Sequence, residues 1–418
     1  MKYQLPTALR ALGHRNYRLY FIGQLISLTG TWVQSVAQAW LVYRLTHSAA
    51  LLGTVTFVGQ IPAFFLAPVG GACADRFDRR HLFIATQVSA MLLALGLACL
   101  VLTDHVQVWH LFIFAALLGV VNAFDMPVRH SYPVELVGKR HLINAIALNS
   151  AMFNAARTIG PALAGVLVAT IGEGWCFLTN AASFLAVIIC LLLIDTKSPS
   201  KSGPSRSAGT EMLEGFQFAV GNPPLRRLLM LLVIYSFFGL IYGVLMPIFS
   251  DQILHGGVRG LGWLMASAGI GTLLGAITLA TRRSVDGLER WVSMAGFGCG
   301  TALILFSCSR EFWLSALFLL PVGYFQILEW AVSNTLIQTM VPDDLRGRMM
   351  AIYTMTFMGG GPIGSLAGGF MAEQVGAPLT VAFSGAMCLV GAALYARSIS
   401  RSGASAISPA TEKNAERE

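Results

Sequence analysis

Hydrophobic residues along the chain form twelve long apolar runs, separated by short polar segments. Each run approaches or exceeds the roughly 20 residues that an α-helix needs to cross a bilayer. The pattern therefore predicts an all-α membrane protein with twelve spanning helices. We place the runs at 16–44, 50–74, 82–103, 108–127, 142–171, 174–194, 225–250, 260–281, 290–308, 312–339, 349–372 and 377–396.

The longest polar segment falls between the sixth and seventh runs and predicts two bundles of six helices. Within it, apolar residues at helical spacing from Glu211 to Val220 predict a short amphipathic helix on the membrane surface. The last residues, rich in Ser, Ala and charge, are typical of disorder. The predicted organisation is a basic leader (1–15), an N-terminal bundle (16–194), a linker (195–224), a C-terminal bundle (225–397) and a disordered tail (398–418).

Composition agrees with a membrane protein, because 55% of residues are hydrophobic and only 11% are charged, against about 25% charged in soluble domains. Of the 28 Lys and Arg residues, 24 lie on segments that would share one side with the N-terminus. Arg44, Arg259 and Arg310 lie on the other side. The positive-inside rule then places both termini in the cytoplasm, which suits a multi-pass protein of a bacterial inner membrane. The same rule accounts for the net charge of +8, so this charge does not call for a nucleic-acid partner.

Motifs of soluble enzymes are missing from the sequence. It contains no Gly-x4-Gly-Lys-Ser/Thr loop, no His-Glu-x-x-His pair and no Gly-x-Ser-x-Gly turn. The seven cysteines are scattered, and no two have the spacing of metal ligands. We therefore expect no enzyme activity, metal or cofactor, and no ATP-driven motor.

A glycine- and arginine-rich stretch joins the second and third runs and reads Gly-Ala-Cys-Ala-Asp-Arg-Phe-Asp-Arg-Arg over residues 71–80. It resembles the signature loop of the major facilitator superfamily. The form of the loop with an aspartate at position 78 resembles the one in the branch of enterobactin exporters and macrolide-efflux proteins. The resemblance runs from Asn16 to about Ala396 and implies two pseudo-symmetric six-helix bundles. It also implies a cytoplasmic latch, for which the candidates are Gly71, Asp75, Arg76, Arg79, Arg80 and, as the partner of Asp75, Arg129. The alternative is that these arginines only anchor the loop at the membrane surface.

The clear cases of charged residues well inside the apolar runs are Asp125, Arg157 and Glu329. A charge at the bilayer centre costs about 2.5–3.5 kcal/mol even on insertion scales, which favours a functional role. Asn122 precedes Asp125 by three residues, as Gln326 precedes Glu329. In the fold that the resemblance implies, the fourth and tenth runs border a central cavity. We predict that both carboxyl groups face it and exchange protons there, since desolvation favours their neutral form. The alternative is a structural hydrogen bond or salt bridge, such as Asp125 with Arg129 or Arg157.

Two polar or aromatic faces could line the same cavity. One is the stripe of Gln24, Ser27, Thr31, Gln34 and Gln38 on the first run, which would otherwise pack between helices. The other is Tyr235, Gly239, Tyr242 and Met246 on the seventh run, for which ordinary packing is the alternative. Small residues at helical spacing predict close helix approaches, and the part of this set on the fifth run partly resembles the helix-5 motif of antiporters. The set comprises Gly160, Pro161, Gly165, Gly360, Gly364 and Gly368.

The sequence thus predicts a secondary active transporter that works by alternating access. Its resemblance favours a monomeric, proton-coupled exporter of a small amphipathic molecule, such as a siderophore or a drug-like compound. Two alternatives remain open. One is a lysophospholipid flippase or importer on the same fold, and the other is a membrane sensor or partner that transports nothing.

Overall fold

The computed structural model of the chain describes residues 7–195, 208–282 and 287–402, and the regular secondary structure of these residues is helical. Predictions for residues 1–6, 196–207 and 403–418 lie outside this part. A short 3-10 helix (Thr7–Gly13) is followed by α1 (Arg15–Thr46), α2 (Ala49–Arg76), α3 (Arg79–Leu102), α4 (Val108–Gly138), α5 (His141–Ile171), α6 (Glu173–Leu193), α7 (Ala208–Gly221), α8 (Pro223–Ile253), α9 (Gly257–Ala280), α10 (Leu288–Cys308), α11 (Phe312–Met340), α12 (Asp343–Val375) and α13 (Ala377–Ser402).

Helices α1–α6 correspond to the first six predicted runs, and α8–α13 correspond to the last six. Ten of the twelve are long and apolar enough to cross a membrane. The other two, α1 and α12, have 32 and 33 residues and are long enough, but they are less apolar. The polar stripe accounts for this in α1. In α12, the charged first turns and the many glycines do so.

The fourth helix extends eleven residues beyond the predicted end at 127. Tyr132, Leu136 and Val137 on this extension are buried, and Tyr132 packs against Tyr20 and Phe83. The apolar run ends where the bilayer would end, whereas the helix continues as long as its side chains find partners. The chain turns at Gly138, whose φ of 65° is a left-handed conformation that glycine adopts readily.

The linker helix α7 packs on α12. Arg348 and Glu214 form an ion pair of 2.5 Å, and Gly215 lies against Arg348 and Ile352. Phe216 and Val220 on α7 are exposed, as an interfacial helix would require. Helix α13 continues to Ser402, so the residues from Ser398 to Ser402, predicted to be disordered, are helical.

Helix α8 is interrupted at Gly239 and Leu240. The amide of Gly243 donates to the carbonyl of Leu240 at 3.1 Å, one residue out of the α-helical register. Two carbonyls at the break accept side-chain donors instead. Ser384 Oγ donates to Phe238 O at 2.5 Å, and Gln326 Nε2 donates to Gly239 O at 3.0 Å. The interruption is therefore compensated from neighbouring helices, as a break at membrane depth requires.

Two seams join α1–α6 to α8–α13, one between α2 and α12 and the other between α5 and α9. We call the end that carries residues 7 and 402 the terminal end, and the opposite end the distal end. At the distal end, Tyr43 OH donates to Asp251 Oδ2 at 2.7 Å. Glu373 there accepts from Ser48 Oγ and from the amide of Ala50, at 3.0 and 3.1 Å. The distal ends of the two bundles are therefore closed against each other.

Candidate transport site

A cavity of about 200 Å³ lies among α1, α3, α4, α5 and α6. Its wall combines polar and aromatic side chains, which suits an amphipathic solute better than a purely apolar or purely charged one. The polar wall includes Ser27, Thr31, Gln34, Gln38, Asn122, Asp125, Arg129 and Asn180, and the aromatic wall consists of Trp32, Phe153 and Phe184.

The polar stripe of α1 both lines the cavity and holds helices together. Thr31, Gln34 and Gln38 line the cavity. Gln34 Oε1 also accepts from Asn180 Nδ2 of α6 at 2.7 Å. Gln24 is buried away from the cavity, and its amide nitrogen lacks a partner. Both interpretations offered for this stripe thus describe part of it.

Asp125 lines the cavity, but its carboxylate is held by three side chains. Thr86 Oγ1 and Gln87 Nε2 of α3 donate to Oδ1 at 2.9 and 2.7 Å. Arg129 Nε lies 3.3 Å from Oδ2. This arrangement satisfies the carboxylate as an ion, and it is one of the structural alternatives that the sequence left open.

Glu329 is fully buried and has a single weak partner. Ser333 Oγ lies 3.5 Å from Oε1, and Oε2 has no hydrogen-bond partner. The carboxyl group is not among the groups that line the cavity in this structure. It lies instead near Cys299 and Cys388, in the interior of the C-terminal bundle. Glu329 therefore does not line this cavity in this conformation, and the prediction that it faces a central cavity between the bundles stays a prediction.

The two acids nevertheless occupy equivalent places in the two bundles. Asp125 is 17 positions after the first residue of α4, and Glu329 is 17 positions after the first residue of α11. Counted in the same way, Thr86 and Gln87 of α3 correspond to Ala295 and Gly296 of α10, and Arg129 corresponds to Ser333. The groups that hold Asp125 are thus replaced around Glu329 by Ala295 and Gly296, whose side chains form no hydrogen bonds, and by the neutral hydroxyl of Ser333 in place of a guanidinium.

Arg157 lies on α5 at the seam between the bundles. Its Nη2 is 3.5 Å from Gln326 Oε1 on α11, and the guanidinium lies 6.0 Å from the ring centroid of Trp32. Tyr242 OH is also 3.5 Å from Gln326 Oε1. The structure thus brings Arg157, Gln326 and Tyr242 together, although 169 residues separate the first two.

Tyr235 departs from the predicted aromatic face of α8. It is buried, and its hydroxyl donates to the carbonyl of Gly296 on α10. It is not among the residues that line the cavity. The interruption at Gly239 separates Tyr235 from Tyr242 in helical phase, which the spacing alone could not reveal.

The loop of residues 71–80 lies at the terminal end. Asp75 is exposed and lies 3.5 Å from Arg79, which also forms an ion pair of 2.5 Å with Glu135. Arg80 donates to the carbonyls of Leu191 and Leu192 at the end of α6, at 2.9 and 2.8 Å. In this conformation Arg129 pairs with Asp125 rather than with Asp75. The exposed Arg76 ends α2, and a side chain at Gly71 would meet no atom within 4 Å.

The small residues lie at close helix approaches of two kinds. Gly165 of α5 meets Gly262 of α9 across the seam between the bundles, and an added Cβ would be 2.9 Å from Gly262 Cα. Gly160 lies against Trp32 of α1, within one bundle. Pro161 is inside α5. On α12, Gly360 lies against Ser236, Gly364 against Phe237 and Gly368 against Ile241, all on α8.

Comparison with known proteins agrees with this architecture. A family model of the major facilitator superfamily, described as transmembrane secretion effector, matches residues 6–416. The chain belongs to this family. It is therefore a multi-pass membrane transporter, and the resemblance of the loop at residues 71–80 is confirmed.

Several relatives of this family member span nearly the whole chain. The staphyloferrin A transporter of Staphylococcus aureus (strain NCTC 8325 / PS 47) is 25% identical over 383 residues, which is 88% of this chain and 92% of the relative. The multidrug efflux pump Tap of Mycolicibacterium fortuitum is 26% identical, and the alignment covers 89% of this chain and 93% of the relative. The enterobactin exporter EntS of Shigella boydii serotype 4 (strain Sb227) is 24% identical and covers 85% of each.

Solved structures show the same fold at low identity. A bacterial homologue of the iron transporter ferroportin in an inward-facing state superposes with a TM-score of 0.73 and 16% identity, over 92% of this chain and 98% of that chain. The inward-open xylose transporter XylE from E. coli superposes with a TM-score of 0.68 and 14% identity, over 91% of this chain and 96% of that chain. The predicted major facilitator fold is thereby confirmed.

Proposed function

We propose that this transporter is a proton-coupled exporter of a small amphipathic molecule. Relatives named for enterobactin export and for multidrug efflux support export. The mixed polar and aromatic wall of the cavity supports an amphipathic solute of siderophore or drug-like character. The observation that carries proton coupling is the carboxyl of Glu329, which is buried at membrane depth with one oxygen unpartnered.

Alternating access would proceed by rocking of residues 16–194 against residues 225–397. The distal closure by Asp251 and Glu373 would open, and the latch at Asp75 would close the terminal end in the opposite state. The excess of Lys and Arg at the terminal end supports a cytoplasmic location for both termini, in a bacterial inner membrane. The proposed unit is a monomer without enzyme activity, cofactor or bound nucleic acid.

Glu329 would act as the site of proton exchange for a physical reason. A carboxylate that accepts no strong hydrogen bond is costly in a buried site, so the closed environment favours the neutral acid. Movement of α11 that admits water would allow the proton to leave. Asp125 is unsuited to this role because Arg129, Thr86 and Gln87 already stabilise its ionised form.

The test is accumulation of a fluorescent amphipathic dye in cells that express the protein, with and without a proton uncoupler, beside the variant Glu329→Gln. We expect the protein to lower accumulation, the uncoupler to restore it, and the variant to behave as empty cells. Glu311→Gln, the same change on an exposed acid at the distal end, is the matched control. Export that persists in Glu329→Gln with the same uncoupler sensitivity would exclude this acid, and accumulation above that of empty cells would indicate an importer.

A further inference from the structure

The cluster at the seam contains a cation without a matching anion. Arg157 is partly buried at mid-length of α5, and its close neighbours are the amide of Gln326, the hydroxyl of Tyr242 and the ring of Trp32. Within the part of the chain that the structure describes, no carboxylate lies within ion-pair distance of its guanidinium. These neutral dipoles orient the cation but do not neutralise it.

None of the described acidic groups at similar depth or across the same seam pairs with Arg157. Asp125 pairs with Arg129, and the carboxyl group of Glu329 lies near Cys299 in the C-terminal bundle. At the distal end, Asp251 accepts from Tyr43 and Glu373 accepts from the start of α2. A charged arginine at membrane depth normally pairs or marks a substrate pathway.

The donors at the seam converge on one oxygen. Arg157 Nη2 and Tyr242 OH both approach Gln326 Oε1, each at 3.5 Å. The other end of that amide is fixed, because Gln326 Nε2 donates to Gly239 O. A loosely held neutral oxygen thus occupies the point where a guanidinium and a phenol would bind an anionic oxygen more strongly.

The cavity comes close to this cluster, although Arg157, Gln326 and Tyr242 do not themselves line it. Trp32, whose ring lies beside the guanidinium, lines the cavity, and so does Phe153, one helical turn before Arg157 on α5. A solute in the cavity could place an aromatic or apolar body against these rings. Its polar end would then point at the guanidinium.

We propose that the transported solute carries an acidic group, a carboxylate or a similar oxyanion, which binds Arg157 and Tyr242 in place of the amide oxygen of Gln326. The inference rests on the proposed export function and adds the charge class of the substrate. Because Arg157 belongs to one bundle and Tyr242 to the other, the anion would bridge the two bundles across the seam.

The test uses two fluorescent probes that differ only in charge, dansyl-phenylalanine and its neutral amide, in energised inside-out membrane vesicles. We expect uptake of the acid to exceed that of the amide at least about tenfold, the scale of one hydrogen bond to a charged group. Arg157→Gln should abolish this preference, and Arg157→Lys should keep part of it as a point charge. Arg44→Gln, the same change on an arginine at the distal end, should preserve it. A purely structural role would lower both rates equally.

The other outcomes separate the two proposals. Equal transport of acid and amide, or a preference that survives in Arg157→Gln, overturns the acidic-substrate inference and leaves export standing. If wild-type vesicles transport neither probe nor a cationic dye, export itself fails. The melting temperature of the purified protein then decides the inference. A larger rise with the acid than with the amide, lost in Arg157→Gln, supports it, and equal rises overturn it.

Discussion

The seam between α5 and α9 gives a quantitative prediction for the variant Gly262→Ala. An added Cβ would lie 2.8 Å from Gly165 Cα and 2.8 Å from Pro161 O, whereas ordinary contact begins at 3.4 Å. The shortfall of 0.6 Å is against backbone atoms, so no side chain can rotate to relieve it. The bundles must separate locally or accept strain.

Overpacking of this kind costs about 1–3 kcal/mol. The strain acts only while the distal ends are closed, because opening would part α5 from α9. The variant should therefore shift the equilibrium toward a distally open state by roughly 5- to 150-fold. A state populated at about 1% would then become readily detectable.

The assay is pulsed electron–electron double resonance on the protein in lipid nanodiscs. Spin labels at Asp104 and Glu311, on the distal turns before α4 and α11, would report the separation of the bundles in a cysteine-free background. We expect a longer-distance population in Gly262→Ala. Gly243→Ala on α8 is the matched control, since its added Cβ meets no atom within 4 Å. Identical distance distributions in wild type and Gly262→Ala, with unchanged melting temperature, would refute the argument.

Three further predictions concern the polar contacts. Asp125→Asn should lower unfolding stability by about 1–3 kcal/mol, and its effect should not add to that of Arg129→Gln in thermal unfolding; strict additivity would argue against the pair. Glu329→Gln should change stability far less, since one carboxyl oxygen is unpartnered; a loss as large as that of Asp125→Asn would contradict this. Glu373→Gln should lower the free energy of distal opening by roughly 0.5–1 kcal/mol, which the spin-label assay would detect as a larger open population. An unchanged distance distribution would show that this contact does not hold the end closed.

The membrane-spanning helices could be predicted from apolar run length alone, because a bilayer imposes the same length on every span. Their ends could not. Helix α4 continues to Gly138 because Tyr132 finds Tyr20 and Phe83, residues far away in the chain. The break in α8 was equally hidden, since Gly239 sits in an apolar run that reads as continuous helix.

Within the candidate site, the sequence could predict faces but not neighbours. The spacing of Asp125 and Arg129 on one helix face made their ion pair a foreseeable alternative. The donation from Gln87 across to Asp125, and the approach of Arg157 to Gln326, depend on which helices pack together. No local pattern contains that information. The same holds for Glu135, which pairs with Arg79 and carried no signal of its own beyond being an acid near a basic loop.

The break in α8 makes the shape of that helix depend on a side chain of α11. The carbonyl of Gly239 is released from the helical ladder, and Gln326 supplies its donor. If Gln326 turns away, that carbonyl must either find water or recover the amide of Gly243, and recovery straightens the helix. The direction of α8 beyond the break and the rotamer of Gln326 are thus coupled. A displacement of a single amide group, at the height of Arg157, would be transmitted along α8 to Asp251 at its distal end as a change in helix direction.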